Sequence, residues 1–209
     1  MTSETPIYSV DLAGIVVGDT AISDVQGELG ILSYRGLDIN ELVAMPFLHV
    51  VWLVLFGERH TTQEMSRLKT FLCRHMRLSP DEIELLQRVP RDLHPMLMLQ
   101  GMVPLLQMPA KQDMDMEPAA EHGLFIAAKI TALIAAHHRL GENKSVLAPT
   151  PGLLFHENFL TMFHGRPPTQ DQVRMLNAAQ ILQMEHSFNC GTFAGRVCAS
   201  TLAPIQSSI

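Results

Sequence analysis

The residues best suited to chemistry gather near one end of the chain, in Gln183-Met184-Glu185-His186-Ser187-Phe188-Asn189-Cys190-Gly191-Thr192-Phe193-Ala194-Gly195-Arg196-Val197. A histidine and an asparagine stand three residues apart there, among polar side chains, at the seam between two apolar-periodic runs, Met175–Met184 and Ala194–Ile205. An imidazole at a helix break has two readings: a structural group satisfied by its neighbours, or a substrate ligand or proton carrier. Glu185 beside it favours the imidazolium, which can bind a carboxylate, and Asn189 adds a neutral donor.

Other candidates carry less. His94 precedes a proline and is the one other histidine of interest. His137-His138 are adjacent rather than a helical turn apart, no H-E-x-x-H occurs, and His156 and His164 lack a carboxylate at ligand spacing, so no metal site is expected. Cys73, Cys190 and Cys198 form no C-x-x-C pair and read as buried, reduced thiols of a reducing compartment. The methionines, among them Met96, Met98, Met102, Met175 and Met184, fall on apolar helix faces and read as core packing. Glycine-rich phosphate loops and G-x-S-x-G are absent.

These side chains need a scaffold, and the composition supplies one. With 209 residues, 47% hydrophobic and 17% charged, the chain is long and apolar enough to bury a sizeable core. A net charge of −6 with no run of five Lys or Arg argues against nucleic acid as a partner. Met1–Pro6 lacks a basic or apolar leader pattern, and the most apolar run, Gly123–Ala136, falls short of the ~20 residues of a membrane span. A cytoplasmic protein with no membrane partner is expected.

Short β-branched runs, Ile7–Val10 and Gly14–Val17, and two apolar arms around a glycine turn over Ile22–Tyr34 predict a small hairpin-like cap over residues 1–37. From Asp38 the period lengthens to that of a helix. Asp38 caps a short helix through Ala44, and Pro46 suits the first turn of the next, which ends at Gly57 and is apolar on nearly every face, hence buried all round. Thr61 or Thr62 and then Ser79-Pro80-Asp81-Glu82 open amphipathic outer helices. Met96–Gln107 resumes as an apolar helix, Pro109–Glu117 is a loop, and Pro118–Leu140 is a long core helix. A short helix over Leu153–His164 closes at Gly165, and Thr169 caps the helix that runs to Met184. The fold class is all-α, with residues 38–209 as its helical part.

Four stretches carry a resemblance to a known family. Thr20-Ala21-Ile22-Ser23-Asp24-Val25-Gln26-Gly27-Glu28-Leu29-Gly30-Ile31-Leu32-Ser33-Tyr34-Arg35-Gly36 resembles the opening motif T-x-I-S-x-V-x-G-x-x-G-x-L-x-Y-R-G of citrate synthases and 2-methylcitrate synthases. His94-Pro95-Met96 is similar to their H-P-M segment, and Phe159-Leu160 with Met162 and Gly165 to N-F-L-x-M-x-x-G. Glu185-His186-Ser187-Phe188-Asn189 with Thr192-Phe193 and Arg196 resembles H-x-x-N-x-S-T-x-x-x-R. They follow the order of that family's N-terminal half.

The resemblance implies the citrate synthase fold, a homodimer, and the condensation of acetyl-CoA with oxaloacetate to citrate and CoA, or of propionyl-CoA in the 2-methylcitrate branch. Acetyl-CoA enters as substrate and no bound cofactor is implied. One family position carries over, His186, as an oxaloacetate-binding histidine. The family's enolising histidine lies in a G-P-L-H-G segment further along, followed by the second catalytic histidine, the base aspartate and substrate-binding arginines, and this sequence contains no G-P-L-H-G. No catalytic residue is therefore assigned, and the chain is expected to be inactive alone. Gln183, Ser187 and Cys190-Gly191 depart from the family's usual histidine, glutamate and alanine-serine. Two further readings are a non-catalytic dimerisation or partner-binding module, and a helical small-molecule binder that uses His186 without catalysis.

Overall fold

The computed structural model describes residues 18–209. The runs Ile7–Val10 and Gly14–Val17 and the segment Met1–Pro6 lie outside them. Strand β1, Ser23–Gln26, pairs antiparallel with β2, Ile31–Tyr34, Ser23 facing Tyr34 and Gln26 facing Ile31. The turn between them is one 3-10 turn closed by Gly30 at φ 66°, where a side chain would be strained. The expected hairpin gains a third strand, β3 (Leu37–Asp38), which pairs Ser33 with Asp38 and runs directly into the first helix.

Local capping chemistry explains most of the helix starts. In α1, Ile39–Leu42, the Asp38 carboxylate accepts from the Asn40 N–H at 2.7 Å. Helix α2, Phe47–Phe56, starts after Pro46, which is the cap rather than a first-turn residue, and ends at Gly57 with φ 73°. Reciprocal capping boxes, Thr61 with Glu64 and Ser79 with Glu82, open α3 (Thr62–His75) and α4 (Pro80–Arg88). Helix α5, Pro95–Met102, is shorter than the run Met96–Gln107 suggested, because Pro104 lacks an N–H and tightens Val103–Leu105 into a 3-10 turn. Then come α6 (Pro118–Gly141), α7 (Phe155–His164), α8 (Gln170–Leu182) and α9 (Cys190–Ala199). The last begins four residues earlier than its apolar pattern because Asn189 caps it.

The main core forms around α6, which packs against α3, α4, α5 and α7. Its face toward α3 meets Met65, Leu68, Phe71, Leu72 and Met76, all buried as the sequence pattern required. Helix α6 extends the run Gly123–Ala136 to 24 residues, long and apolar enough to cross a membrane by length and composition. It buries Glu121, Lys129, His137 and Arg139 along its length, and the first two are held by specific protein partners, which fits a core helix. A second, smaller cluster of Tyr34, Ile39, Leu42, Val50 and Ile181 joins the cap to α2 and α8.

Three expectations are corrected. Only Leu48, Val50 and Trp52 of α2 are buried, and Leu55 is exposed, because α2 borders open cavities instead of being ringed by helices. The cysteines are free but not buried: Cys190 is exposed, and Cys73 and Cys198 are half-buried. Among the methionines, Met98 and Met102 are core, whereas Met96 and Met175 stand 58% and 72% exposed, so apolar type alone did not place them inside.

Candidate substrate site

The seam between α8 and α9 is a seven-residue loop, 183–189, shaped by several hydrogen bonds. At its start the buried Tyr34 hydroxyl donates to the Ile181 carbonyl at 2.8 Å and accepts from the Glu185 N–H at 3.3 Å. Burial pushes the Tyr34 phenol up from its ordinary pKa, so it stays a neutral donor. The Ser187 N–H donates to the Glu185 carboxylate at 2.9 Å, and Ser187 itself takes a left-handed φ of 73°. The Asn189 N–H donates to the Ser187 carbonyl at 3.0 Å, and the Asn189 side-chain oxygen accepts from the Thr192 N–H at 2.7 Å.

His186 sits exposed at the crest of this loop, and among the described residues no hydrogen bond engages its ring. The surroundings differ from expectation in two respects. The Glu185 carboxylate turns back to the Ser187 N–H, and no ion pair with His186 forms within 4.0 Å among the described residues. Asn189 commits its oxygen to capping α9, leaving only its amide N–H groups as donors.

Beside the loop a cavity of about 300 Å³ opens between the start of the cap and α9, with Asp19, Thr20, Glu185, Ser187, Phe188 and Arg196 on its walls. The Arg196 guanidinium lies 4.9 Å from the centre of the Phe188 ring, a cation–π contact that holds the arginine over the seam. The Arg196 guanidinium can receive an anionic group, while Asp19 and Glu185 bring carboxylates to the same walls; His186 is not among the wall residues.

A larger cavity, about 840 Å³, lies elsewhere, between α2, α7 and α8, with Phe47, His49, Phe155, His156, Arg174 and Met175 on its walls. His156 is buried there, its Nε2 2.6 Å from the Gln180 side-chain oxygen, and burial lowers its pKa despite that bond. His94 is not part of the seam: its Nδ1 accepts from the Met96 N–H at 3.2 Å and caps α5. Tyr34 is the functional candidate that residue chemistry missed. It stood within the quoted Y-R-G triplet, but its partners are 147 and 151 residues away.

Comparison with known proteins fits this geometry. The sequence model of the family described as "Citrate synthase, C-terminal domain" matches residues 11–209. The chain belongs to the citrate synthase family. It is 31% identical over 213 residues to the 2-methylcitrate synthase of Shewanella oneidensis, covering 100% of this chain and 56% of that protein. The crystal structure of the citrate synthase from Pyrobaculum aerophilum superimposes with a TM-score of 0.83 at 29% identity, over 95% of this chain and 52% of that one. The citrate synthase of Thermoplasma acidophilum, solved as a ternary complex with carboxymethyl coenzyme A and oxaloacetate, shares the fold at TM-score 0.80 and 22% identity, over 93% of this chain and 52% of that one. This citrate synthase-family chain thus spans about half the length of the relatives it matches, in keeping with the half-length resemblance of its motifs.

Proposed function

We propose that this chain forms one wall of the oxaloacetate site of a carbon–carbon bond-forming acyltransferase, with His186 as its dicarboxylate ligand. The observation that carries this reading is an exposed imidazole, unengaged among the described residues, on a tightly held loop of a citrate synthase-family fold. Its chemistry is binding. Condensation also needs a base at the acyl α-carbon and a donor to the enolate oxygen, roles that the family resemblance gives to residues other than His186.

The acyl donor is acetyl-CoA, with propionyl-CoA as the variant that the 2-methylcitrate synthase relative supports. Phe193 and Val197 on α9 and Met175 and Leu182 on α8 are exposed apolar residues that favour burial against a second copy in a homodimer. Residues 1–37 serve as the cap and 38–209 as the helical part of the large domain, in a cytoplasmic protein.

Calorimetry with oxaloacetate tests the reading directly. Wild type binds and His186→Ala binds at least about tenfold more weakly, the scale of one lost charge-assisted contact. Equal binding by the two, or none by wild type, overturns it. A thiol-release assay with acetyl-CoA and oxaloacetate shows no turnover by the 209-residue chain alone; family-like turnover would place the enolising groups within it.

A further inference from the structure

We infer that Tyr34 is the positioning residue of the His186 loop, an inference that rests on His186 as dicarboxylate ligand. Tyr34 is 0% exposed, and its single hydroxyl bridges the Ile181 carbonyl at the end of α8 and the Glu185 N–H, the residue just before His186. A hydroxyl is the one small group that can donate to the first and accept from the second. The other bonds that shape Glu185–Asn189, from Ser187 to Glu185, from Asn189 to Ser187 and from Thr192 to Asn189, are local to the loop and its helix. Among the described residues, Met184 packs on the same cluster as Tyr34, and the Tyr34 bond is the one hydrogen bond that ties Glu185–Asn189 to the core.

Tyr34 is itself held. Next to it Arg35 donates from Nε and Nη2 to the Val54 carbonyl at 3.2 and 2.9 Å, and from Nη1 to the Ala21 carbonyl at 3.4 Å, which fastens β2 to the end of α2. The two adjacent side chains thus grip two helices, Arg35 the end of α2 and Tyr34 the end of α8. The phenol ring is fixed by the cluster of Ile39, Leu42, Val50 and Ile181. A phenylalanine would keep the ring packing but leave the Glu185 N–H without its acceptor, so that His186 would no longer be held at one place relative to the core.

The test is Tyr34→Phe in the full chain, with Leu86→Ala as a variant that weakens a distant part of the main core. In Tyr34→Phe the Glu185 amide exchanges hydrogen faster while the amides of α4 and α6 do not. Oxaloacetate Kd rises about tenfold, the scale of a small misplacement of a binding group, whereas Leu86→Ala keeps wild-type affinity. Wild-type affinity in Tyr34→Phe, or an equal loss in Leu86→Ala, overturns the inference alone. A wild type that does not bind oxaloacetate overturns the reading of His186 and this inference with it. If Tyr34→Phe does not fold, Tyr8→Phe labelled with 3-fluorotyrosine leaves Tyr34 as the one reporter of the chain's two tyrosines. Its fluorine resonance shifts on saturation with oxaloacetate, and an unmoved resonance overturns the coupling.

Discussion

The Nζ of Lys129 lies 2.7 Å from Oε2 of Glu82, and the two side chains are only 8% and 13% exposed. The same carboxylate oxygen accepts from the Ser79 N–H at 2.6 Å, and Lys129 also donates to the Arg77 carbonyl at 2.9 Å. The capping box of α4 and the turn after α3 are therefore pinned to the middle of α6, the core helix, by one cation. Propensity explains why α4 starts at Pro80; this pair explains where it lies.

Removing the cation leaves a largely buried carboxylate and an orphaned carbonyl. Lys129→Met is expected to destabilise the chain by about 3 kcal/mol, with part of the loss recovered in Lys129→Met/Glu82→Gln, since an uncompensated buried charge costs more than a neutral pair. Urea unfolding of the two variants checks this; an additive double variant would show that the two side chains are not coupled.

Glu121, 1% exposed, accepts from the Asp113 N–H at 2.8 Å and the Met114 N–H at 2.9 Å. It closes the loop between α5 and α6 from inside. Glu121→Ala is expected to cost about 2–3 kcal/mol by stranding those buried donors, and hydrogen exchange should locate the loosening at Asp113 and Met114. Unchanged exchange there would contradict the assignment.

Gly165 ends α7 at φ 75°, and a Cβ placed on it would stand 2.5 Å from Nη1 of Arg139, whose Nε is bonded to the Ser145 carbonyl at 2.6 Å. Gly165→Ala is expected to lower stability by about 1–2 kcal/mol from the left-handed backbone alone, before any displacement of the arginine. A neutral substitution, measured by thermal unfolding, would mean that the α7 end relaxes out of that conformation.

Burial lowers the pKa of His156 in the folded chain, so the unfolded chain takes up its proton first. For a group whose folded value lies below its unfolded value of about 6.5, stability is complete above that pH and falls as pH drops through the window beneath it. His49 and His75 are lowered by burial as well and add to the same slope. His156→Phe, which keeps an aromatic ring against Phe47, should flatten the acid side of the stability curve relative to wild type. Parallel curves for the two proteins between pH 7 and pH 5 would remove His156 from the account.

What could be read from residue order and what could not divide along physical lines. The caps at Asp38, Thr61, Ser79 and Thr169, the stops at Gly57 and Gly165 and the buried face of α3 rest on interactions within a few residues, and all appear as expected. The faces of α2, the exposure of Met96, Met175 and Cys190, and the shortening of α5 depended on which elements came to lie alongside or on one proline inside the run. Apolar type states a preference for burial, not that a neighbour is there to provide it.

For the candidate site, the sequence by itself determined the family and the helical scaffold and singled out His186 as the candidate ligand, because the motif preserves side-chain chemistry in order. Only the tertiary structure decided that His186 stands unengaged among the described residues, that Glu185 faces Ser187 instead of the imidazole, and that Asn189 is a helix cap. It also decided that the hydroxyl of a tyrosine about 150 residues earlier bridges the end of α8 and the start of the loop, 2.8 Å from the Ile181 carbonyl and 3.3 Å from the Glu185 N–H. Hydrogen bonds between elements are set by how the core closes, and their partners leave no spacing in the sequence to read.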